Sequence, residues 1–349
     1  MTEPDLFSTA AYDYYLPEDR IAQNPAVPRD SSRLLVLPRH RGGTVSTTFR
    51  RIGDFLSPGD LLVLNDTRVI PARLFARLKS TGREVEVLLL RSLNSQWTDW
   101  EALLRPGRKV RPGGELLLSD GTVLTAGEHG EEGVRTVRFP PGTEVLPLLE
   151  RIGSTPLPPY ITRSTAPPSA YQTVFARENG SAAAPTASLH FTESLLEELK
   201  GERGVTVAWL TLHVGLGTFR PVKAEDIRDH HIHEEYCSLP LRTKELAGET
   251  KRRGGRIVAA GTTVARALES MAGEDGSLEA GSRSTRLFIY PGYRYKIIDG
   301  LITNFHLPKS SLLMLVAAFA GYERTMKAYQ EAVSLEYRFF SFGDAMLII

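Results

Sequence analysis

Residues 287–321 read LFIYPGYRYKIIDGLITNFHLPKSSLLMLVAAFAG, and the fold reading is built outward from them. Leu287 to Tyr290 is a short apolar run of strand character, ended by the turn pair Pro291-Gly292. Tyr293, Arg294, Tyr295 and Lys296 then alternate aromatic and basic side chains. A second strand-like run, Ile297 to Thr303, leads into Asn304-Phe305-His306-Leu307-Pro308. Ser310 or Ser311 caps the helix that follows, because a hydroxyl there accepts a backbone N–H with no partner inside the helix. That helix, Leu312 to Ala320, is apolar nearly all round and is expected to be buried. Gly321 suits its left-handed stop. Two strands thus deliver aromatic, basic and imidazole groups to one end of the fold, held by a core helix. Such a cluster suits an anionic, aromatic partner such as a nucleotide. The competing reading is that Tyr and Lys side chains snorkel at a strand edge, and the stretch alone leaves both open.

Composition narrows the class. The chain has 349 residues, long enough for two domains, with 42% apolar and 24% charged residues, as in ordinary soluble proteins. A single cysteine, Cys237, excludes a disulfide framework and speaks against a cysteine-based zinc site, which suits a reducing compartment. The opening MTEPDLFSTAAYDYYLPEDR is acidic and lacks an apolar signal core. No apolar run approaches the roughly 18 residues of a membrane span. A cytoplasmic protein with no membrane partner is expected. The net charge of +1 excludes a globally basic nucleic-acid binder but leaves room for a local basic face.

Taken in order, the chain changes texture twice. Leu16-Pro17-Glu18-Asp19 and Phe49 to Leu56 read as helical, and Arg33 to Leu37 and Asp60 to Leu64 as strands. The second strand runs into Asn65-Asp66-Thr67-Arg68, where an Asx-turn is the structural reading. From Pro71 to about Pro140 the helical period disappears. Six short strand candidates follow one another there, at 72–79, 84–91, 98–104, 115–119, 122–126 and 134–139, punctuated by Gly82, Pro106-Gly107, Pro112-Gly113-Gly114 and Asp120-Gly121. This spacing suggests a small closed barrel, since closure removes exposed edges. Arg105, Arg108, Lys109 and Arg111 read as a solvated loop or an RNA contact. The expectation is a mixed-sheet α/β domain from residues 1–64 and 146–349, with a six-stranded β-barrel inserted at 65–145.

Beyond the barrel, Gly180 to Ser188 is dense in small residues, which lets a backbone approach a ligand closely. Thr192 is placed to cap a helix over Glu193–Lys200. Val205 to Leu212 is a continuous apolar strand of the kind buried in a parallel sheet. It ends in His213-Val214-Gly215-Leu216-Gly217-Thr218-Phe219-Arg220-Pro221, which superficially resembles a dinucleotide loop. That reading fails, because Arg220 stands at the third glycine position and no early apolar helix follows Pro221. Asp229-His230-His231-Ile232-His233-Glu234-Glu235 invites a metal hypothesis. Its spacing does not match a helical zinc motif. As a strand, it would put His231, His233 and Glu235 on one face and His230 and Glu234 on the other. An acid/base strand is the better reading. Gly261-Thr262-Thr263 after the strand Arg256–Ala260 opens a helix whose free N–H groups attract a carboxylate or phosphate, or simply close a capped βα unit.

Seven segments together carry a resemblance: LLVLNDTRVIPARL (61–74), YQTVFA (171–176), GSAAAPTASLHFT (180–192), LHVGLGTFRPV (212–222), AAGTTVARALES (259–270), the stretch 289–321 and YRFFSFGDAMLI (337–348). In this order they resemble the S-adenosylmethionine:tRNA ribosyltransferase-isomerases of queuosine biosynthesis over nearly the whole chain. His230, His233 and Glu235 are similar to that family's His-x-Met-His-x-Glu pattern, with Ile232 in place of Met. The resemblance implies an enzyme that transfers and isomerises the ribosyl part of S-adenosylmethionine onto 7-aminomethyl-7-deazaguanine at the tRNA wobble position. S-adenosylmethionine is then a consumed co-substrate, with no further cofactor and no metal, and the protein is a monomer.

The chemistry asks for a base beside the sulfonium and a donor for departing adenine. His190, His213, His233 and Glu235 are the catalytic candidates, with roles unassigned. Substrate-binding candidates are Asp66, Arg68, Thr186 and Thr262; the loop residues Gly215, Gly217, Thr218 and Arg220; and Tyr293, Arg294, Lys296, His306 and Lys309. Arg68, Arg220, Arg294, Lys296 and Lys309 form the expected basic face toward tRNA. An S-adenosylmethionine-dependent RNA methyltransferase and a non-catalytic tRNA binder are the alternatives.

Overall fold

The computed structural model describes residues 4–349 except 41 and 216–221. Leu61–Asn65 is buried at every position, as expected of a strand covered on both faces, and it lies at the centre of the main sheet. In chain order the first strands are β1 (Arg33–Leu37), β2 (Val45–Thr48), β3 (Leu61–Asn65) and β4 (Thr67–Val69). The barrel strands are β5 (Arg73–Leu78), β6 (Glu84–Ser92), β7 (Asp99–Arg105), β8 (Glu115–Leu118), β9 (Val123–His129) and β10 (Val134–Arg138). There follow β11 (Glu178–Ser181), β12 (Thr206–Leu212), β13 (Glu235–Leu239), β14 (Ile257–Ala260), β15 (Gly281–Thr285), β16 (Gly300–Asn304) and β17 (Ala345–Ile348). The helices are α1 (Val145–Ile152), α2 (Glu193–Gly201), α3 (Leu241–Arg252), α4 (Thr262–Ser270), α5 (Ser311–Ala320) and α6 (Tyr322–Ser334).

Among the described residues the main sheet has nine strands in the order β15-β13-β12-β3-β14-β16-β17-β1-β2. Its central strands β12, β3, β14 and β16 are mutually parallel, so their carboxyl ends share one edge. Alternation along β3 divides the core. Leu61 and Val63 pack with residues of α4, α5 and α6. Leu62 and Leu64 pack with Phe49, Ile52 and the Leu195, Leu196 and Leu199 face of α2. The result is a sheet between two layers.

The inserted unit is a closed antiparallel barrel, β10-β7-β6-β5-β8-β9. Period-two burial builds it: in β5, Leu74, Ala76 and Leu78 point inward while Phe75 and Arg77 are exposed. Trp100 fills the interior, and Val145, Leu148 and Leu149 of α1 join the same cluster. Side-chain contacts link the barrel to the histidine-rich segment of the main domain. Arg91 bridges Glu101 at 2.8 Å and Glu234 at 3.1 Å, and Glu132 meets His233 at 3.0 Å.

Several expected strands differ, and the run expected from Ile297 enters the sheet only at Gly300. The strand expected at 287–290 instead lies earlier, at Gly281–Thr285, where it pairs with β13 and leaves 286–290 outside any strand. Within residues 337–348, Ala345–Ile348 is a strand, and Tyr337, Phe339 and Phe340 pack as irregular core. Strand β13 begins at Glu235, so the residues before it do not alternate between two faces. The helical readings at Leu16–Asp19 and Phe49–Leu56 are met only by 3-10 turns, Glu18–Arg20 and Phe49–Phe55. The capping of α5 agrees with expectation: Ser310 accepts from Leu313 N, and Gly321 has φ +88°.

Candidate functional site

Open sheets with central parallel strands present ligands at the strands' carboxyl ends. At the end of β3, the Asn65 side chain acts as an extra strand residue, bonding Leu212 O at 2.9 Å and receiving Leu212 N at 3.0 Å. Asp66 is buried with both carboxylate oxygens engaged, Oδ1 by Thr211 Oγ1 at 2.7 Å and Oδ2 by Arg177 at 2.6 Å. These contacts hold the edge together. His213, at the end of β12, bonds Thr67 Oγ1 at 2.8 Å and stacks on Tyr236. Gly180 has φ +143°, and a Cβ there would fall 2.7 Å from His213 Nε2, so only glycine lets the backbone lie against this imidazole. Burial lowers the His213 pKa to about 4 against the opposing pull of Asp66.

A first cavity, about 720 Å³ with its open mouth, lies over the ends of β14 and β16. The small-residue segment Ala184-Pro185-Thr186-Ala187 forms one wall. Gly261, with φ +110°, turns the chain from β14 into α4, whose first residues Thr262 and Thr263 form another. Asn304 and His306 come from the end of β16, and Phe340 with Tyr160 closes the remaining side. Two groups here are buried without a hydrogen-bond partner, Thr263 Oγ1 and Asn304 Oδ1. Asn304 Nδ2 is occupied, with Phe340 O at 3.0 Å and His190 Nε2 at 3.1 Å. Burial brings the His306 pKa down to about 3, so it is neutral near pH 7, with Nε2 on Thr303 Oγ1 at 2.7 Å. This cavity is apolar with a few neutral polar groups.

A second cavity, about 1000 Å³ with its mouth, is charged. His230, His231, His233 and Glu235 all line it, together with Lys223, Asp229 and Arg266. Glu235 is buried, ion-paired to Arg266 Nη1, and accepts from Gly215 N at 3.3 Å. His230 has its pKa lowered by burial and by the neighbouring His233 and His231. Leu312, in the first turn of α5, lines both cavities. Val214 lines the first and Lys223 the second. Among the described residues no group of three His, Cys, Asp or Glu side chains is placed to hold a metal ion.

Of the candidates named from sequence, Thr186, Thr262 and His306 meet in the first cavity, and His233 and Glu235 in the second. Gly215 touches Glu235 from the end of β12. Gly217, Thr218 and Arg220 lie outside the described residues. His190 is buried, with Nδ1 on Ser32 Oγ at 2.7 Å and Nε2 on Asn304, and burial lowers its pKa to about 3. It positions Asn304 and does not line either cavity. Tyr293 and Lys296 are not brought to His306. Buried Glu269, near the far end of α4, receives Tyr293 OH at 3.1 Å and the N–H groups of Lys296, Ile297 and Ile298. That anchor precedes β16 and His306 follows it, roughly 16 Å apart along five extended residues. Lys296 pairs with Glu274 and Lys309 with Asp13, while Arg68 and Arg294 are exposed. Arg220, the fifth residue of the expected basic face, lies outside the described residues. Asn304, Thr263 and Arg266 were missed. The available signal for Arg266 was an arginine set among Val264, Ala265, Ala267 and Leu268, where a helix is apolar on every side.

Fold and site together define a mixed α/β protein with an inserted closed barrel and two neighbouring cavities at the carboxyl edge of its sheet. The chain belongs to the queuosine biosynthesis protein family, which it matches over residues 9–348. It is 52% identical, over 97% of its length and 98% of the relative's, to an S-adenosylmethionine:tRNA ribosyltransferase-isomerase of Halothermothrix orenii. It is 51% identical, over 100% and 98%, to the protein of that description from Thermosynechococcus vestitus. The crystal structure of S-adenosylmethionine tRNA ribosyltransferase from Thermotoga maritima is similar at TM-score 0.56 and 42% identity, covering 97% of this chain and 100% of that one.

Proposed function

We propose that this protein is an S-adenosylmethionine:tRNA ribosyltransferase-isomerase. It moves and isomerises the ribosyl part of S-adenosylmethionine onto 7-aminomethyl-7-deazaguanine at the tRNA wobble position, giving epoxyqueuosine-tRNA with release of adenine and methionine. The observation that carries this reading is the similarity at about half identity over nearly the full length of relatives so described. The paired cavities suit it: a neutral cleft for a heteroaromatic base beside a charged one rich in proton-transfer groups. His233 is the proton acceptor we assign, since a carboxylate on Nε2, here Glu132 from the barrel, orients the ring and leaves Nδ1 as the basic nitrogen. Glu235 holds Arg266 in place. His190 and His213 position other groups. The proposed protein works as a cytoplasmic monomer with no metal or cofactor besides its co-substrate, and chelator-treated protein is expected to retain activity.

Incubating the purified protein with S-adenosylmethionine and precursor-modified tRNA tests the reading. Free adenine and methionine with epoxyqueuosine-tRNA support it. S-adenosylhomocysteine would mark a methyltransferase, and unconsumed S-adenosylmethionine a non-catalytic binder.

A further inference from the structure

Arg266 sits in the middle of α4 with its side chain 5% exposed. Charges so deep persist only when paired and hydrogen-bonded. Two of its nitrogens are satisfied: Nη1 donates to Glu235 Oε2, and Nε donates to Leu287 O at 3.0 Å. The third, Nη2, is buried with no hydrogen-bond partner, while the residue lines the second cavity. An unmet guanidinium donor is costly, and the cost is removed when an acceptor arrives with a ligand.

Charge separates the two cavities. The first offers hydroxyls, an amide and an imidazole, whereas the second carries Arg266, Lys223, Asp229 and Glu235. A small molecule with a neutral heteroaromatic end and a zwitterionic end matches the pair, reaching from one into the other past Leu312, which lines both. We propose that Arg266 Nη2 binds the carboxylate of the amino-acid end of S-adenosylmethionine in the second cavity, with the nucleoside end in the first. This deepens the function proposed above and rests on it. A carboxylate fits better than an RNA phosphate. Glu235 already balances the arginine, and the group is nearly sealed, whereas a strand's phosphates are met by cations it can reach at the surface.

The test varies the ligand on the intact protein. Titration calorimetry compares S-adenosylmethionine with its decarboxylated analogue, which differs only by the carboxylate. The wild-type chain is expected to bind the analogue roughly tenfold or more weakly, the size of one charge-assisted hydrogen bond. The double variant Glu235→Gln/Arg266→Met, which removes both charges together, is expected to bind the two alike. Equal binding of both ligands by the wild-type chain overturns the assignment and leaves the proposed function standing. Retention of the full preference by the folded double variant overturns the role of Arg266. A variant that keeps the preference but loses tRNA affinity, with a shallower salt dependence, marks a phosphate contact and also overturns it. If the double variant does not fold, the wild-type comparison still decides on the carboxylate. Failure of the wild-type chain to bind S-adenosylmethionine both alone and with precursor-modified tRNA present overturns this assignment, and the product assay then decides the function separately.

Discussion

Replacing Thr263 with valine separates a ligand-binding hydroxyl from a structural one by the sign of two effects. Thr263 Oγ1 is buried without a partner in the wall of the first cavity, and the residue is 7% exposed. Valine has the same branching and nearly the same volume and helix propensity, so α4 is undisturbed. In the unliganded protein the substitution removes a hydroxyl desolvated without compensation, a burden of about 1–3 kcal/mol in mutational data. Some of that is relieved by water entering the open cleft, so a gain of about 1 kcal/mol is expected. In a chain of this size that raises the melting temperature by roughly 2 °C. In the complex the variant lacks a neutral hydrogen bond to the nucleoside, about 0.5–1.5 kcal/mol, and weakens S-adenosylmethionine roughly two- to twelvefold. Differential scanning calorimetry and titration calorimetry on the same preparation read both quantities. Thr263→Ser, which keeps the hydroxyl, is expected to preserve affinity. A valine variant that melts earlier and binds normally would refute the reasoning.

Other consequences are equally open to measurement. Glu269→Ala strips the acceptor from three backbone N–H groups and Tyr293 OH. It should lower unfolding free energy by roughly 2–4 kcal/mol in urea titration, with S-adenosylmethionine affinity unchanged in the folded fraction. His190 has a folded pKa of about 3, below the unfolded value of about 6.5. The unfolded chain therefore takes up a proton that the folded chain refuses. The contribution is fully present above about pH 6.5 and is lost as pH falls toward 3, with a slope of up to about 1.4 kcal/mol per pH unit. His190→Gln should make stability between about pH 6 and 4 less steep by nearly one proton; an unchanged slope would contradict the assignment. Arg108 and Lys109 are exposed in the barrel loop that Arg135 anchors through Val110 O, three residues from Glu132, which reaches the second cavity through His233. Replacing both with alanine should weaken tRNA binding and reduce the salt slope by roughly 0.9 for each phosphate no longer neutralised, with S-adenosylmethionine binding intact.

The sequence by itself determined whatever rests on short-range pattern. Period-two alternation with Gly and Pro punctuation places six barrel strands within about three residues at either end, because a pleated strand shows its burial in consecutive positions. The apolar runs at Leu61–Leu64 and Val205–Leu212 announce neighbouring parallel strands of the sheet, and Ser310 and Gly321 mark the ends of α5. The small residues 182–187 signal close approach, and their segment does wall the first cavity. Long-range pairing decided the rest. Tyr293 and Lys296 read as partners of His306, yet a carboxylate 24 residues upstream of Tyr293 holds them at the opposite edge of the sheet. The histidines before Glu235 lie outside the strand, so alternation does not govern them; they share one cavity because the barrel packs there, with Glu132 on His233 and Arg91 on Glu234. Arg266 and Asn304 look ordinary in sequence. Only packing reveals that a guanidinium nitrogen and an amide oxygen are sealed without partners, because hydrogen-bond satisfaction belongs to the whole neighbourhood and not to any residue's own stretch of chain.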